Sequence, residues 1–302
     1  MDSEEPSGSV RSGRYDEIEA KTLLGTVKQP DPWFGLKYNM NLYRGCQHQC
    51  IYCDTRSECY GIDDLGRVAV KVNAIELLRD ELSRKRVRGT IGTGSMNDPY
   101  MPLEREVRQT GRALEVIAEF RFPVHVVTKS DLVLRDRAVL REIARVYAAV
   151  SFTLTTTDDE LARKVEPGAP RPSRRLAAMR QLADDGVTTG VALMPVLPFL
   201  EDDPENIIAI LERAADAGAT YVIPGMGMTL RDRQRAFYYA RLDELFPGLK
   251  ERYIKRFGGA YGCAARDVEA LTRTLAETCA RLGLATRIPQ FEPQAARQPR
   301  LL

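Results

Sequence analysis

Three cysteines in one short segment restrict the fold of this chain more than any other feature of its sequence. Cys46, Cys50 and Cys53 stand in the spacing Cys-x3-Cys-x2-Cys. The segment is too compact for a disulfide framework and is one thiolate short of a closed zinc or four-cysteine iron–sulfur site. Three thiolates can hold three irons of a [4Fe–4S] cube and leave the fourth iron open to a small chelating ligand. The alternative is a zinc knuckle that uses Cys59 or His48 as its fourth ligand.

The composition is that of an ordinary globular protein of 302 residues, with 44% hydrophobic residues and a net charge of +2. No run of about 18 apolar residues is present, which excludes a predicted membrane span. The first residues lack the basic and apolar regions of a secretory signal. We therefore expect a cytoplasmic protein whose six cysteines are reduced.

Apolar strands alternate with helical stretches along most of the chain, which predicts six β/α units and a parallel sheet. We expect strands near residues 39–44, 90–93, 124–128, 149–155, 188–194 and 220–223. Helices are expected near residues 74–85, 104–120, 135–147, 173–185 and 204–216. Six parallel strands curl into an incomplete, TIM-like (β/α)6 barrel, so the predicted fold class is α/β.

Three regions are predicted along the chain. Residues 1–30 are rich in Ser, Gly, Glu and Arg and are expected to form a loose tail. Residues 31–246 form the barrel domain, and residues 247–302 form a helical extension and tail. The helix expected at 266–282 would close the open side of the barrel.

Small and polar residues follow the second predicted strand, where ligands of such barrels bind. Gly92 and Gly94 allow close backbone approach to a ligand, and Ser95 suits a ribose hydroxyl or a carboxylate. Asn97 and Asp98 are further cofactor-binding candidates, or they form only a turn and a helix cap.

The ends of strands three and four supply further candidates. Lys129 directly follows the third strand, where a lysine can pair with a carboxylate. Ser151 and Thr153 alternate onto one face of the fourth strand and can point into the barrel. Met194, Pro195 and Pro198 make an apolar lip on strand five.

These motifs together resemble a known superfamily. The cysteine spacing, with Tyr52 directly before the last cysteine, is the signature of the radical S-adenosylmethionine (radical SAM) superfamily. Four segments resemble the spore photoproduct lyase-like branch, which is related to DNA repair photolyases: residues 41–46, 98–100 and 128–129, and the strand with Pro195 and Pro198. Their order and spacing are similar from about residue 37 to 225. Segments 57–60, 132–136 and 227–234 resemble a narrower group, the radical SAM mobile pair protein B.

The resemblance implies cofactors, partners and residue roles. S-adenosylmethionine would cap the open iron, and one electron from a flavodoxin or ferredoxin would cleave it to a 5′-deoxyadenosyl radical. Tyr52 would contact the adenine, Lys129 would bind the cofactor carboxylate, and Asn97 and Ser151 would lie near the cofactor. The narrower resemblance implies a second radical SAM protein as a partner.

One position departs from the lyase pattern. Spore photoproduct lyases carry a cysteine hydrogen donor at the end of strand two, and this chain has Ser95 there. A serine O–H bond is too strong to donate a hydrogen atom readily to a carbon radical. Three ways to end the reaction are open. The hydrogen returns from 5′-deoxyadenosine, an electron passes back to the cluster, or a residue on the late glycine-rich loop donates a hydrogen atom. Cys263 and Tyr261 are the catalytic candidates on that loop.

We predict structural roles for Cys59, Cys279 and His125. Cys59 is close enough to approach the cluster loop, but we favour a structural or buried thiol. Cys279 lies on an apolar helix face and is predicted to be core, and His125 is predicted to pack inside its strand.

Basic residues cluster in three places: residues 84–88, residues 171–175, and Arg297 with Arg300. We interpret these runs chiefly as solvated helix ends, and a groove that follows phosphates is the alternative.

The leading functional hypothesis is a radical SAM enzyme that abstracts hydrogen from a substrate, including a nucleic-acid base or lesion, by lyase or modification chemistry. The alternatives are radical chemistry on a peptide or small metabolite, and a non-catalytic protein in which a metal only staples the loop.

Overall fold

The computed structural model describes residues 10–11, 14–28, 31 and 33–292. Its strands are β1 Val10–Arg11, β2 Asp16–Ile18, β3 Leu24–Thr26, β4 Tyr38–Met40, β5 Tyr43–Arg44, β6 Ala69–Lys71, β7 Ile91–Thr93, β8 Val124–Thr128, β9 Ala148–Thr153, β10 Thr188–Leu193, β11 Tyr221–Pro224, β12 Gly227–Thr229 and β13 Gly262–Ala264. Its α-helices are α1 Ala74–Arg84, α2 Glu104–Val107, α3 Gln109–Glu119, α4 Arg137–Ala144, α5 Asp159–Val165, α6 Pro172–Asp184, α7 Pro204–Asp216, α8 Asp232–Leu245, α9 Leu249–Phe257 and α10 Val268–Leu282. Short 3-10 helices span Asp54–Arg56, Glu58–Tyr60 and Asp131–Asp136.

The central sheet has seven strands in the order β11-β10-β9-β8-β7-β4-β3. Six of them run parallel in chain order, and β3 pairs antiparallel with β4 at one edge. Within the described residues the two edge strands, β3 and β11, do not pair with each other. The predicted fold class, a partial (β/α)6 barrel, is therefore confirmed.

The strands of the barrel are apolar because both of their faces are covered. All six residues of β9 are buried, and Ile91, Val126 and Val150 are fully enclosed between the strands and the surrounding helices. Full burial of such a side chain contributes about 1.5–3 kcal/mol. This packing fixes the carboxyl ends of the parallel strands at one rim of the barrel.

Two predicted elements are interrupted. The first predicted strand divides into β4 and β5, and β5 pairs with β6 in a separate four-stranded sheet. The helix predicted at 104–120 is broken at Arg108, whose φ of 53° is left-handed. The break lets the buried Glu104 carboxylate accept from the Thr110 amide and pair with Arg135 at 2.6 Å.

The amino-terminal segment differs from the loose tail that we predicted for residues 1–30. Strand β2 pairs parallel with β6, and β3 extends the central sheet at its edge. The prediction is wrong for these two strands, because backbone pairing stabilises a segment whose side chains are largely polar. Residues 1–9, 12–13 and 29–30 lie outside the described residues.

The carboxyl-terminal region adds helices and one strand to the barrel. The predicted helix at 266–282 is found as α10, which packs against α7. Strand β13 pairs antiparallel with β12, which directly follows the last barrel strand. This pairing returns residues 262–264 to the barrel rim. The boundary predicted at residue 246 stays a prediction.

None of the described helices combines the length and the apolar character needed to cross a lipid bilayer.

Candidate active site

The cysteine segment forms a compact loop directly after β5. Cys46 and Cys50 are buried, Cys53 is half-buried, and all three are free thiols. The Cys46 amide donates to the Leu65 carbonyl at 2.7 Å, and the Cys53 amide donates to the Cys50 carbonyl at 3.3 Å. Cys53 packs both against the apolar cluster that contains Cys46 and against the one that contains Cys50. The three thiols therefore lie on one loop, with Cys53 between the other two.

Residues far along the chain hold this loop in place. The Ile51 amide donates to the Val165 carbonyl at the end of α5, and the Gly168 amide donates to the His48 carbonyl, both at 2.9 Å. A Cβ at Gly168 would lie 2.3 Å from the Gln47 carbonyl oxygen, so a side chain there would displace the loop. The loop is thus anchored by a close backbone approach that only glycine permits.

The thiols suit iron ligation after they lose their protons. Burial, helped by the charge of Asp98, raises the pKa of Cys46 to about 12. Burial likewise raises the pKa of Cys50. In the part of the chain that the structure describes, no three His, Cys, Asp or Glu side chains converge to hold a metal ion. Three separate thiols on one loop fit a cluster that offers one iron to each of them, with proton release on binding.

A cavity of about 900 Å³ opens at the rim of the barrel beside this loop. Residues from the cysteine loop, from the carboxyl ends of several strands and from β13 line it together; they include Tyr52, Cys53, Gly94, Ser95, Lys129, Thr153, Met194, Pro195, Met228 and Cys263. Gly94 has a φ of +102°, and a Cβ there would lie 2.2 Å from the Val127 carbonyl oxygen. This glycine is therefore required by the neighbouring strand.

Lys129 is the unpaired cation of this cavity. It follows β8 directly, is half-buried, and its Nζ lies 5.8 Å from the centre of the Tyr52 ring. Burial opposes its charge, but the charges of Cys50 and Glu166 outweigh burial and raise its pKa. Among the described residues its Nζ has no hydrogen-bond or ion-pair partner. The site thus presents a protonated amine that can accept a carboxylate.

A buried ion pair fixes the Tyr52 ring against the cavity. The Tyr52 hydroxyl donates to Glu166, and Glu166 pairs with Arg175 at 2.5 Å. Arg175 Nη1 also donates to the Thr153 carbonyl at 3.0 Å. Arg175 is only 1% exposed, so its interpretation as a solvated helix end is wrong. Glu166 could not be predicted from the sequence, because no motif marks it.

Asp98 connects the ends of two strands to the cysteine loop. Its carboxylate accepts from the Thr128 hydroxyl at 2.7 Å and the Lys129 amide at 2.6 Å, and lies 3.3 Å from His48 Nδ1. Burial opposes its charge, yet His48 and these donors lower its pKa. Asp98 does not line the cavity, and its carboxylate holds the Lys129 amide; its contact with the cofactor stays a prediction.

The other predicted cofactor contacts divide into two groups. Ser95 and Thr153 line the cavity, whereas Asn97 and Ser151 do not. The Asn97 Nδ2 donates to the Tyr43 carbonyl at 2.8 Å. The buried Ser151 hydroxyl lies 2.7 Å from both His125 Nε2 and the Tyr221 hydroxyl. Contact of Asn97 or Ser151 with the cofactor stays a prediction, and the packing of His125 inside its strand is confirmed.

The two catalytic candidates on the late loop have different surroundings. Cys263 lines the cavity, is 1% exposed, and packs in the same apolar cluster as Cys50 and Tyr52. Burial raises the pKa of Cys263 to about 11. Tyr261 is 57% exposed, does not line the cavity, and lies 5.1 Å from the Arg231 guanidinium. Only Cys263 is in position to touch a ligand in the cavity.

The two remaining cysteines differ in their exposure to solvent. Cys279 is buried in the main core, as predicted. Cys59 is exposed, so it is not a buried thiol. Its Sγ accepts from Arg231 Nη1 and from the Ser57 hydroxyl, both at 3.4 Å, which agrees with the structural thiol that we also predicted. A 3-10 turn at Glu58–Tyr60 directs this side chain outward.

The structure describes the basic runs at residues 84–88 and 171–175. Arg84, in the last turn of α1, pairs with Asp80 at 2.5 Å, and Arg174 pairs with Asp131 at 2.5 Å. Arg84 therefore agrees with the predicted solvated helix end. Arg174 is exposed but lies in the first turn of α6, where the macrodipole does not favour a cation. Arg297 and Arg300 lie outside the described residues.

Comparisons with known proteins agree with this geometry. Residues 40–211 match the sequence model of the radical SAM superfamily, a span that includes the three cysteines and Lys129 but not Cys263. An uncharacterized protein of Mycobacterium tuberculosis is 34% identical over 258 residues, which cover 81% of this chain and 75% of that protein. The radical SAM Nalpha-GlyT isomerase of Pseudomonas phage M6 is 26% identical over 213 residues, covering 70% of this chain and 41% of that protein.

A solved structure shares the fold. A spore photoproduct lyase variant with bound AdoMet and dinucleoside spore photoproduct superposes with a TM-score of 0.68 at 16% identity. The match covers 90% of this chain and 81% of that chain. At this identity the likeness establishes the fold.

Proposed function

Because this chain belongs to the radical SAM superfamily, whose cofactors are a [4Fe–4S] cluster and S-adenosylmethionine, we propose that it abstracts hydrogen from a nucleic-acid base held in the barrel cavity. The observation that carries the proposal is the shared lining of the cavity by Cys53, Tyr52, Lys129 and Cys263. The dinucleoside held by the spore photoproduct lyase of the same fold is the reason to test nucleic acid first.

The chain's own residues have separate tasks in this proposal. Cys46, Cys50 and Cys53 would hold three irons as thiolates and leave the fourth for the cosubstrate. Lys129 would bind the carboxylate of S-adenosylmethionine, and the Tyr52 ring would lie against its adenine. Ser95 and Thr153 would supply further polar contacts from the cavity wall. When bound, the cluster and S-adenosylmethionine supply a 5′-deoxyadenosyl radical.

Cys263 is the proposed hydrogen donor to the substrate radical. Its thiol carries its proton at neutral pH, as an ordinary thiol does, and burial raises its pKa further, to about 11. In the donating step the S–H bond breaks, a C–H bond forms on the substrate, and a sulfur radical remains on Cys263. Ser95 lines the same cavity but cannot take this role, because its O–H bond is too strong.

A label-transfer experiment tests the proposed function. The anaerobic protein is incubated with S-adenosylmethionine, a chemical reductant and deuterated single-stranded oligonucleotides, and 5′-deoxyadenosine is analysed by mass spectrometry. We expect deuterium in 5′-deoxyadenosine with the oligonucleotides and none with the Cys50→Ala protein. Label from deuterated peptides instead would show that the substrate class is wrong. Absence of any 5′-deoxyadenosine would contradict the radical chemistry itself.

Lys129→Ala is expected to weaken S-adenosylmethionine binding at least about tenfold. A charge-assisted hydrogen bond contributes about 1.5–3 kcal/mol, and Lys129 is the cavity amine available for one. Calorimetry on anaerobic, cluster-loaded protein measures the dissociation constant. Lys255→Ala is the matched control, because Lys255 is an exposed lysine on α9 outside the cavity. Equal dissociation constants for the two variants would remove Lys129 from the site.

A further inference from the structure

A second pocket, of about 400 Å³, is lined in part by residues that directly follow a residue of the cavity wall. Ser95 lines the cavity, whereas the next two residues, Met96 and Asn97, line the second pocket. Tyr60 also lines the second pocket, and its hydroxyl donates at 3.0 Å to Asp54, which lines the cavity. The two spaces are therefore lined by neighbouring residues of one segment and by two side chains that are hydrogen-bonded to each other.

Three cations line the second pocket: Lys21, Arg44 and Lys71. Among the described residues, Arg44 and Lys71 have no acidic partner. Lys71, the last residue of β6, is half-buried, and in the described chain its Nζ makes no hydrogen bond or ion pair. Arg44, on the neighbouring strand β5, donates from Nη2 to the Gly61 carbonyl at 2.5 Å and to the Tyr60 carbonyl at 3.4 Å. No carboxylate of the described residues forms an ion pair with Arg44. Arg44 and Lys71 thus line one space together with Lys21, and no carboxylate of the described residues pairs with Arg44 or Lys71.

This arrangement brings like charges together in a half-buried site. Burial, together with the charge of Arg44, lowers the pKa of Lys71. Repulsion between like charges in a half-buried site is relieved when an anion binds between them. Glu19 is the carboxylate among the described lining residues, and it is exposed and pairs with neither cation. The pocket therefore favours a strongly charged anion over neutral ligands.

We infer that Arg44 and Lys71 bind a backbone phosphate of the polynucleotide whose base enters the cavity. The inference rests on the proposed nucleic-acid substrate and extends it to the mode of binding. A base that meets the radical must leave the stack, while its phosphodiester backbone stays outside the cavity. Ser95 lines the cavity and the next two residues line the second pocket, so one short segment borders a space for the base and a space for the phosphate.

Salt-dependent binding of a fluorescein-labelled, single-stranded oligonucleotide of about 12 nucleotides tests this inference. We expect Lys71→Gln and Arg44→Gln each to raise the dissociation constant about fivefold or more at low salt. Each variant should also reduce the slope of log K against log salt by about 0.7, the value for one lost phosphate contact on a single strand. Lys71→Arg, which keeps the charge, should bind as the unchanged protein does.

Lys255→Gln is the matched control, because it removes one exposed positive charge on α9, outside both pockets. Cluster absorbance and S-adenosylmethionine affinity should be unchanged in Lys71→Gln, which shows that the neighbouring site is intact. Should Arg44→Gln fail to fold, Lys71→Gln alone decides the question.

The outcomes separate this inference from the proposed function. If the protein binds the oligonucleotide and Lys71→Gln behaves like Lys255→Gln, the phosphate site is overturned and a nucleic-acid substrate still stands. If the unchanged protein does not bind the oligonucleotide at any salt concentration, both are overturned. A fivefold loss confined to the pocket variants, with the smaller salt slope, supports the site.

Discussion

Replacing Cys50 with alanine is expected to remove the iron–sulfur cluster and to abolish S-adenosylmethionine cleavage. Cys50 is one of three thiols on the loop, and its loss would leave two irons of the cube without a protein ligand. The buried loop offers no substitute of the same chemistry, because Cys59 is exposed and lies beside Arg231. Iron content and charge-transfer absorbance of the anaerobic protein measure the effect, with a fall from about four irons per chain to nearly none.

Cys279→Ala is the matched control for this experiment. Cys279 is also a buried free thiol, but it packs in the main core on α10. Removing it should lower stability slightly and leave the iron content unchanged. If Cys50→Ala kept a full cluster, the assignment of the three cysteines would be wrong, and a structural metal on the loop would become the better account.

The barrel could be predicted because its elements carry local signals. The helix expected at 204–216 is found at Pro204–Asp216, where a proline opens the helix and Gly218 follows it. The six parallel strands are short apolar runs that are buried in the sheet, as the alternation of apolar strands and helices along the sequence predicted. Such patterns involve residues that are close together in the chain, so they can be recognised from the sequence alone.

Pairings between distant segments could not be predicted in the same way. Strand β2 pairs with β6, and β12 pairs with β13, in each case across a long separation in the chain. Their sequences are polar or rich in glycine and carry no clear alternation. Their stability comes from backbone hydrogen bonds to a partner that only the folded barrel supplies.

The same division applies to the site. The cysteine spacing and the position of Lys129 at a strand end could be read from the sequence. The roles of Arg175 and Asp98 could not, because each depends on which groups the fold brings into contact: Arg175 meets Glu166 in the interior, and Asp98 meets His48. A basic run and an Asp-Pro turn look alike whether they are solvated or buried.

Cys263→Ala is expected to stop solvent hydrogen from reaching the product. A thiol exchanges its hydrogen with water, so turnover of the substrate found by label transfer should place one deuterium on the product in D2O. Cys263 lines the cavity beside Cys53, so its removal should reduce that deuterium to background while 5′-deoxyadenosine still forms. Mass spectrometry of the product measures both quantities. Tyr261→Phe and Cys59→Ser should leave the labelling intact, because both residues are exposed and neither lines the cavity.

The pH dependence supplies an independent test of the same donor. Burial raises the pKa of Cys263 from 9.0 to about 11, so the S–H form is fully present below the ordinary thiol pKa and is lost only as the pH rises through the higher value. Deuterium incorporation should therefore stay constant between about pH 7 and pH 9, whereas an ordinary thiol donor would already be losing its hydrogen near the upper end. If the Cys263→Ala protein still formed product that carries solvent deuterium, the hydrogen donor would be another group. A decline centred near the ordinary thiol pKa would place the donor on an exposed cysteine such as Cys59, outside the buried wall that Cys263 shares with Tyr52 and Cys53.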